Sequence, residues 1–170
     1  MLVIVEGFDN TGKTSLIQGL SEDLKLLVMN NRRKPPSEAY MEQYLRTVCS
    51  LGQDYPVILD RLCTISEPVY GVLRGRGPVI TSEQEARHLH ILRASDPLII
   101  YCRPPTGVVL NFGDRPQMDG VISNARSLLS AYDSRADSMA RDGFRVVHWD
   151  FTNYGYPWIL NQVLNYMESK

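Results

Sequence analysis

Eight residues near the amino terminus, Gly7-Phe8-Asp9-Asn10-Thr11-Gly12-Lys13-Thr14, set two glycines, a lysine and a hydroxyl at the spacing G-x-x-x-x-G-K-[ST]. That combination suits a polyphosphate. Glycines let the backbone wrap until successive N–H groups point at phosphate oxygens, and a helix opening at Lys13 turns its positive dipole end to the same anion. Lys13 then bridges the β- and γ-phosphates of ATP, the Thr14 hydroxyl ligates Mg²⁺, and Gly7, Asn10, Thr11, Gly12 and Ser15 complete the cradle. The apolar run Leu2-Val3-Ile4-Val5 precedes the pattern and an amphipathic stretch follows it. A chance glycine turn lacks that strand–loop–helix context.

A second constellation ends the run Pro56-Val57-Ile58-Leu59 with Asp60-Arg61. An acid at a strand end beside a phosphate loop can hold Mg²⁺ directly or through water, and the adjacent guanidinium can fork onto a phosphate. The metal set read from sequence is therefore Thr14 and Asp60. Downstream, Ser66, Tyr70, Gly71, Arg74 and Arg76 lie in S-E-P-V-Y-G-V-L-R-G-R-G, where arginines among glycines can approach an anion closely. No cysteine or acidic ligand stands at metal spacing from His88 and His90, which read as residues of a surface helix with no metal role.

The elements that must position these groups alternate. Apolar runs at 2–5, 25–29, 57–59, 98–102 and 144–149 read as buried parallel strands. Helical spacing appears over 13–24, 37–51, 82–92, along a long stretch marked by Val121, Ala125, Leu128, Tyr132, Ala136 and Met139, and at the carboxyl end after Pro157. Ser82 and Glu85 read as a capping box. The expected fold is α/β, a P-loop NTPase with an open, mostly parallel five-stranded sheet and helices on both faces, its ligands at the carboxyl ends of the strands. Residues 1–170 read as one domain; 111–120 (NFGDRPQMDG) and the basic, proline-containing 30–36 (NNRRKPP) read either as solvated loops or, from their place at the carboxyl end of the sheet, as segments that close over phosphates, with 111–120 the lid candidate.

Composition excludes several classes. With 18 Lys+Arg against 19 Asp+Glu there is no global basic field to draw the chain onto nucleic acid or anionic membrane. Three cysteines without a C-x-x-C pair argue against a disulfide framework and a zinc site and fit a reducing cytoplasm. The chain opens on a core strand instead of a leader, and no apolar run nears the ~20 residues of a membrane helix.

Taken together, V-E-G-x-D-x-x-G-K-T, a strand ending in D-R, S-x-x-x-Y and a glycine-flanked arginine resemble the thymidylate kinase-like branch of P-loop nucleotide kinases, particularly its short bacteriophage versions. The resemblance extends more weakly through 99–105 (IIYCRPP), Ala131-Tyr132-Asp133 and His148-Trp149-Asp150. It implies that Asp9 contacts the acceptor sugar, Asp60 serves the metal or acceptor phosphate, Arg61 serves the transferring phosphates and Arg74 holds the acceptor monophosphate, with Arg76 as its alternate. Ser66 and Tyr70 would help form the acceptor pocket. In place of the family's dense lid arginine cluster the chain offers Arg103, Arg115 and Arg126 as candidates, with nothing in the sequence to choose among them, and a homodimer in the cytoplasm, or a host's cytoplasm, is the implied setting. The chain departs from the family at Leu62, where an aromatic or histidine is usual, at Gly71, where glutamine is common, and in having no secure equivalent of the thymine-reading arginine, since Arg46 lies on a suitable helix but much closer to Asp60.

These readings converge on an ATP-dependent phosphotransferase acting on a deoxynucleoside monophosphate, dTMP or a 5-substituted dUMP, with Mg²⁺ as cofactor and small nucleotides as partners. Rivals differ in the acceptor or the class. A deoxynucleoside kinase, or a phage kinase of 5-hydroxymethyl-dU in DNA, would need a carboxylate base, for which Glu6, Asp9 and Asp60 are candidates. A small P-loop ATPase switch needs no acceptor at all. A binding module that has lost catalysis is disfavoured, because Lys13, Thr14 and Asp60 are intact.

Overall fold

A computed structural model describes residues 1–30, 35, 37–73, 80–111 and 120–170. Its elements follow in the order β1 (Leu2–Glu6), α1 (Lys13–Leu24), β2 (Leu27–Asn30), α2 (Glu38–Asp54), β3 (Val57–Asp60), α3 (Cys63–Leu73), α4 (Ser82–Ala94), β4 (Leu98–Cys102), α5 (Thr106–Val109), α6 (Ala125–Arg141), β5 (Arg145–Trp149) and α7 (Tyr156–Glu168).

The five strands form one sheet in the order β2-β3-β1-β4-β5, and every pairing among them is parallel. "Mostly parallel" thus becomes wholly parallel among the described residues. β1 lies between β3 and β4, so chain connections leave it in opposite directions and open a crevice at its carboxyl end. Both faces of β1 are covered: Val3 and Val5 pack toward α1 and α7, while Leu2 and Ile4 pack toward α2 and α4. That is why its sequence is an unbroken apolar run with no alternation.

The edge strands depart from expectation. β2 begins at Leu27, since Lys25 takes a left-handed conformation (φ 55°) that ends α1. Only Leu26 beside it is buried; Leu27 and Val28 are exposed, because the strand has a single sheet neighbour. β5 likewise starts one residue later than expected, with Phe144 buried just ahead of it. The capping box of α4 sits one residue earlier than read: Thr81 Oγ1 accepts from the Gln84 N–H at 3.3 Å, and Gln84 Oε1 accepts from the Thr81 N–H at 2.8 Å. α5 went unread, being a single turn without periodicity.

α3 carries Pro68 in its interior, so the Thr64 carbonyl has no i+4 N–H to accept from. Arg135 of α6 supplies the missing donor at 3.0 Å and pairs through its other nitrogen with Glu85 of α4. One guanidinium therefore ties together three helices, α3, α4 and α6. Among the described residues, no helix is long and apolar enough to cross a membrane.

Candidate active site

The loop from β1 to α1 is shaped by two backbones that admit only glycine. Gly7 has φ 139°, and a Cβ there would meet the Cys102 carbonyl at 2.6 Å; Gly12 has φ 84°, and its Cβ would meet the Phe151 ring at 3.1 Å. Gly12 also caps α1 without any side-chain hydrogen bond, and the first turn holds no acid. The positive end of the helix is left for an incoming anion.

Inside the loop, Thr11 donates to the Phe8 carbonyl at 2.8 Å, and Lys13 Nζ donates to the same carbonyl at 2.6 Å. Burial lowers the Lys13 pKa to about 8, with Arg61 pushing the same way. A bound polyphosphate would return the charge partner that burial withholds. Thr14 and Ser15 are exposed at the start of α1. Asn10 adopts φ 63° and turns its side chain away from the cradle, with Nδ2 2.9–3.2 Å from the carbonyls of Val108, Val109 and Asn111. What it can offer a phosphate is its backbone.

Asp60 closes β3 in register with Val5 and Asn30, almost fully buried. Thr14, Asn30 and Asp60 border one cavity of about 290 Å³ between α1 and β2. A hydroxyl and a carboxylate converging on one space are hard oxygen donors, a fit for Mg²⁺ that keeps waters in its remaining positions.

Arg61 follows in the left-handed region (φ 70°), which swings its side chain over the loop while its N–H still extends the ladder to the Val5 carbonyl at 3.1 Å. Its guanidinium meets Asp9 Oδ1 at 2.5 Å, Tyr132 Oη at 2.6 Å and Tyr70 Oη at 3.2 Å. Burial works against its charge, but Tyr132, Tyr70, Asp9 and Glu6 hold its pKa above the ordinary arginine value. Glu6, the last residue of β1, accepts from the Leu62 N–H at 2.6 Å through Oε1, and its buried Oε2 has no hydrogen-bond partner. Burial raises its pKa to about 7 against the opposing pull of Arg61.

The structure thus brings Asp9, Lys13, Arg61 and Tyr70 together, with Thr14 and Asp60 sharing the neighbouring cavity. Other residues read from sequence stand elsewhere. Ser66 donates back to the carbonyl of Leu62, just ahead of its helix, at 3.2 Å. Arg103 forks onto Asp133 at 2.7 and 3.1 Å, pinning the end of β4 to α6. Arg46 pairs with Glu42 one turn away on α2 at 2.7 Å. Arg126 is exposed on the first turn of α6. Arg74, Arg76, Arg115 and all of the lid segment but its ends lie outside the described residues. His88 corrects the surface reading, being wholly buried beside Glu38 and Glu42.

Sequence reasoning missed two aromatic contributions. Tyr132 reads as one of a helical apolar stripe, and nothing in that spacing tells that its hydroxyl reaches Arg61. Phe151, in the turn after β5, leaves part of its ring exposed against Gly12 and Trp149. Its signal, an aromatic in a polar turn, is too common to single out.

No protein-family model matches the chain, and no curated protein matches it in sequence. Solved structures do match. The YorR protein of Bacillus subtilis, in complex with phosphorylated GDP, superposes with a TM-score of 0.77 at 19% identity, covering 99% of this chain and 96% of that one. The deoxyadenosine kinase of M. mycoides, with dCMP and dCDP as products, gives 0.62 at 13% identity, with both chains covered completely. This chain has the nucleotide kinase fold. A thymidylate kinase from Candida albicans shares that fold at a TM-score of 0.57 and 14% identity, over 99% of this chain and 91% of that one. In this fold the loop after β1 lies at the switch point of the sheet, with Asp60 and Arg61 at the end of the strand beside it.

Proposed function

We propose that the chain transfers the γ-phosphoryl group of ATP to a deoxynucleoside monophosphate, dTMP or a 5-substituted dUMP, giving ADP and the diphosphate. The observation that carries this reading is Arg61, a second, partly buried cation (14% exposed) fixed over the phosphate loop in addition to Lys13. A hydrolase or switch needs one cradle for one nucleotide; a guanidinium held between Asp9 and two tyrosines supplies a place for a second anion.

In this account the loop amides and Lys13 hold the donor phosphates, and Thr14 and Asp60 hold the metal. Mg²⁺, when bound, neutralises charge on the transferring phosphates. The acceptor phosphate is itself the nucleophile, so no protein base is required. As the acceptor enters, its phosphate takes Arg61 and its sugar takes Asp9, exchanging their mutual contact for two contacts to substrate. Arg61 then faces charge that spreads over the transferring group in the transition state. The exposed part of the Phe151 ring gives the donor base a face to stack on beside Gly12.

One observation favours a second reading. Glu6 has an unpartnered buried oxygen and a pKa of about 7, the equipment of a general base. A base is required if the acceptor is an alcohol, as in a deoxynucleoside kinase or a kinase of hydroxymethylated DNA. Incubating the chain with labelled ATP, Mg²⁺ and separate nucleoside monophosphates, nucleosides and a 5-hydroxymethyl-dU duplex tests both readings. Label in a deoxynucleoside diphosphate supports the first. Label in a nucleoside monophosphate or in DNA replaces it with the second.

A further inference from the structure

We propose that Glu38, Glu42 and His88 form a binding site for a divalent transition-metal ion, zinc above all, that clasps α2 to α4. The site uses none of the residues of the phosphate loop, and its occupancy is independent of the reaction proposed above.

Its parts come from two rigid helices. Glu38 and Glu42 stand one turn apart at the start of α2, where Ser37 accepts from the Tyr40 N–H and fixes the first turn. His88 lies in the middle of α4 with no exposed surface, so packing holds its ring in place. Its Nε2 is 3.2 Å from Glu38 Oε1 and 4.0 Å from Glu42 Oε2, and the three ligand atoms all lie within 4.8 Å of one another. In a tetrahedral zinc site with bonds of about 2.0–2.1 Å, neighbouring donors are about 3.3 Å apart. One edge already has that length, and small rotations of the half-buried Glu42 carboxylate bring in the other.

The charges ask for a cation at this point. Two carboxylates converge on the imidazole, and the group between them is the Arg87 guanidinium, 2.7 Å from Glu38 Oε1 and 3.0 Å from Glu42 Oε2. Arg87 is 52% exposed, so it reaches the carboxylates from solvent and can withdraw without opening the core. Arg46 also holds Glu42, with Nη2 2.7 Å from Oε1, which leaves Oε2 as the oxygen that faces His88. No donor pins the tautomer of His88 from its buried Nδ1. Ligation through Nε2 takes the tautomer with its proton on Nδ1. One imidazole and two carboxylates, without thiolate, suit Zn²⁺, Co²⁺ or Ni²⁺ better than Mg²⁺ or Ca²⁺, and three protein ligands leave a position for water.

The test is a Co²⁺ titration of the metal-free full chain, in excess Mg²⁺ to fill hard oxygen sites, followed through the visible ligand-field band and then competed with Zn²⁺. The proposal expects one saturable band that Zn²⁺ removes, weakened at least ~10-fold by Glu42→Gln and by His88→Gln. It also expects Arg87→Ala to tighten binding, since that variant deletes the competing cation. If His88→Gln does not fold, Glu42→Gln and Arg87→Ala still decide the matter, because both lie at the solvent rim. A band absent from wild type and Arg87→Ala alike, or one unchanged in Glu42→Gln, overturns the proposal and leaves the cluster an ion-pair network.

Discussion

Asp9 and Arg61, 52 residues apart, meet at 2.5 Å above the phosphate loop. The contact joins the loop after β1 to the end of β3, so a carboxylate of the cradle neutralises a cation of the neighbouring strand. In the proposed reaction this pair opens, and each partner takes a different part of the acceptor.

Tyr132 holds Arg61 for that exchange. Tyr132→Phe keeps the ring in the apolar cluster with Phe8 and Tyr101 and deletes the hydroxyl 2.6 Å from the guanidinium. A hydrogen bond to a charged group contributes about 1.5–3 kcal/mol. We expect kcat/KM for the acceptor to fall by ~10-fold or more, with KM for ATP nearly unchanged. Steady-state kinetics with each substrate varied separately check this, and an equal loss for both would place Arg61 on the donor instead.

Lys13→Ala is expected to lower kcat on the order of 10²-fold or more, because the lysine meets charge that grows in the transition state. Thr14→Ala leaves the anion cradle intact and should raise the Mg²⁺ concentration needed for half-maximal rate. A magnesium titration at saturating nucleotide separates the two; near-normal turnover in Lys13→Ala would refute the loop's role.

Much of this site was legible because it is local in sequence. The phosphate loop is a contiguous motif, and Asp60-Arg61 stands where an apolar run stops. Tyr132 and Glu6 escaped their full roles since side-chain direction depends on how α6 and β1 pack, which spacing does not encode. The strand cores were read from unbroken apolar runs, yet β2 was misjudged because burial of an edge strand depends on which neighbours cover it. His88 looked like a surface residue for a similar reason: its partners lie on another helix about 50 positions away.

Glu6 gives the fold a pH dependence of definite sign. Its pKa rises from 4.5 to about 7 on folding, so between those values the native state holds a proton that the unfolded chain has released. This contribution to stability is complete below pH 4.5 and is lost as pH rises through 7, on the order of 3 kcal/mol in all. Glu6→Gln keeps an acceptor for the Leu62 N–H and removes the titration. Denaturant melts from pH 4.5 to 8 should show the variant gaining on wild type as pH rises; parallel curves would mean that Glu6 is not buried as described.

Arg135 and Pro68 should be energetically coupled. Arg135→Ala leaves the Thr64 carbonyl without its donor and Glu85 without its cation, and we expect a loss of about 1–3 kcal/mol. In a Pro68→Ala background the helix can supply its own N–H to Thr64, so the same substitution should cost about 1 kcal/mol less. A double-mutant cycle by urea unfolding measures the difference, and strict additivity would show that Arg135 does not replace the bond that proline removes.

The central claim is that two phosphate-bearing substrates meet beside Arg61. Its most direct test is ³¹P NMR of the wild-type chain with equimolar ATP, Mg²⁺ and each deoxynucleoside monophosphate in turn. The account predicts, for a pyrimidine acceptor, the matched appearance of two diphosphates, ADP and the deoxynucleoside diphosphate, with no inorganic phosphate. ADP accompanied only by inorganic phosphate, or no turnover with any monophosphate while a nucleoside or DNA alcohol is phosphorylated, would contradict it.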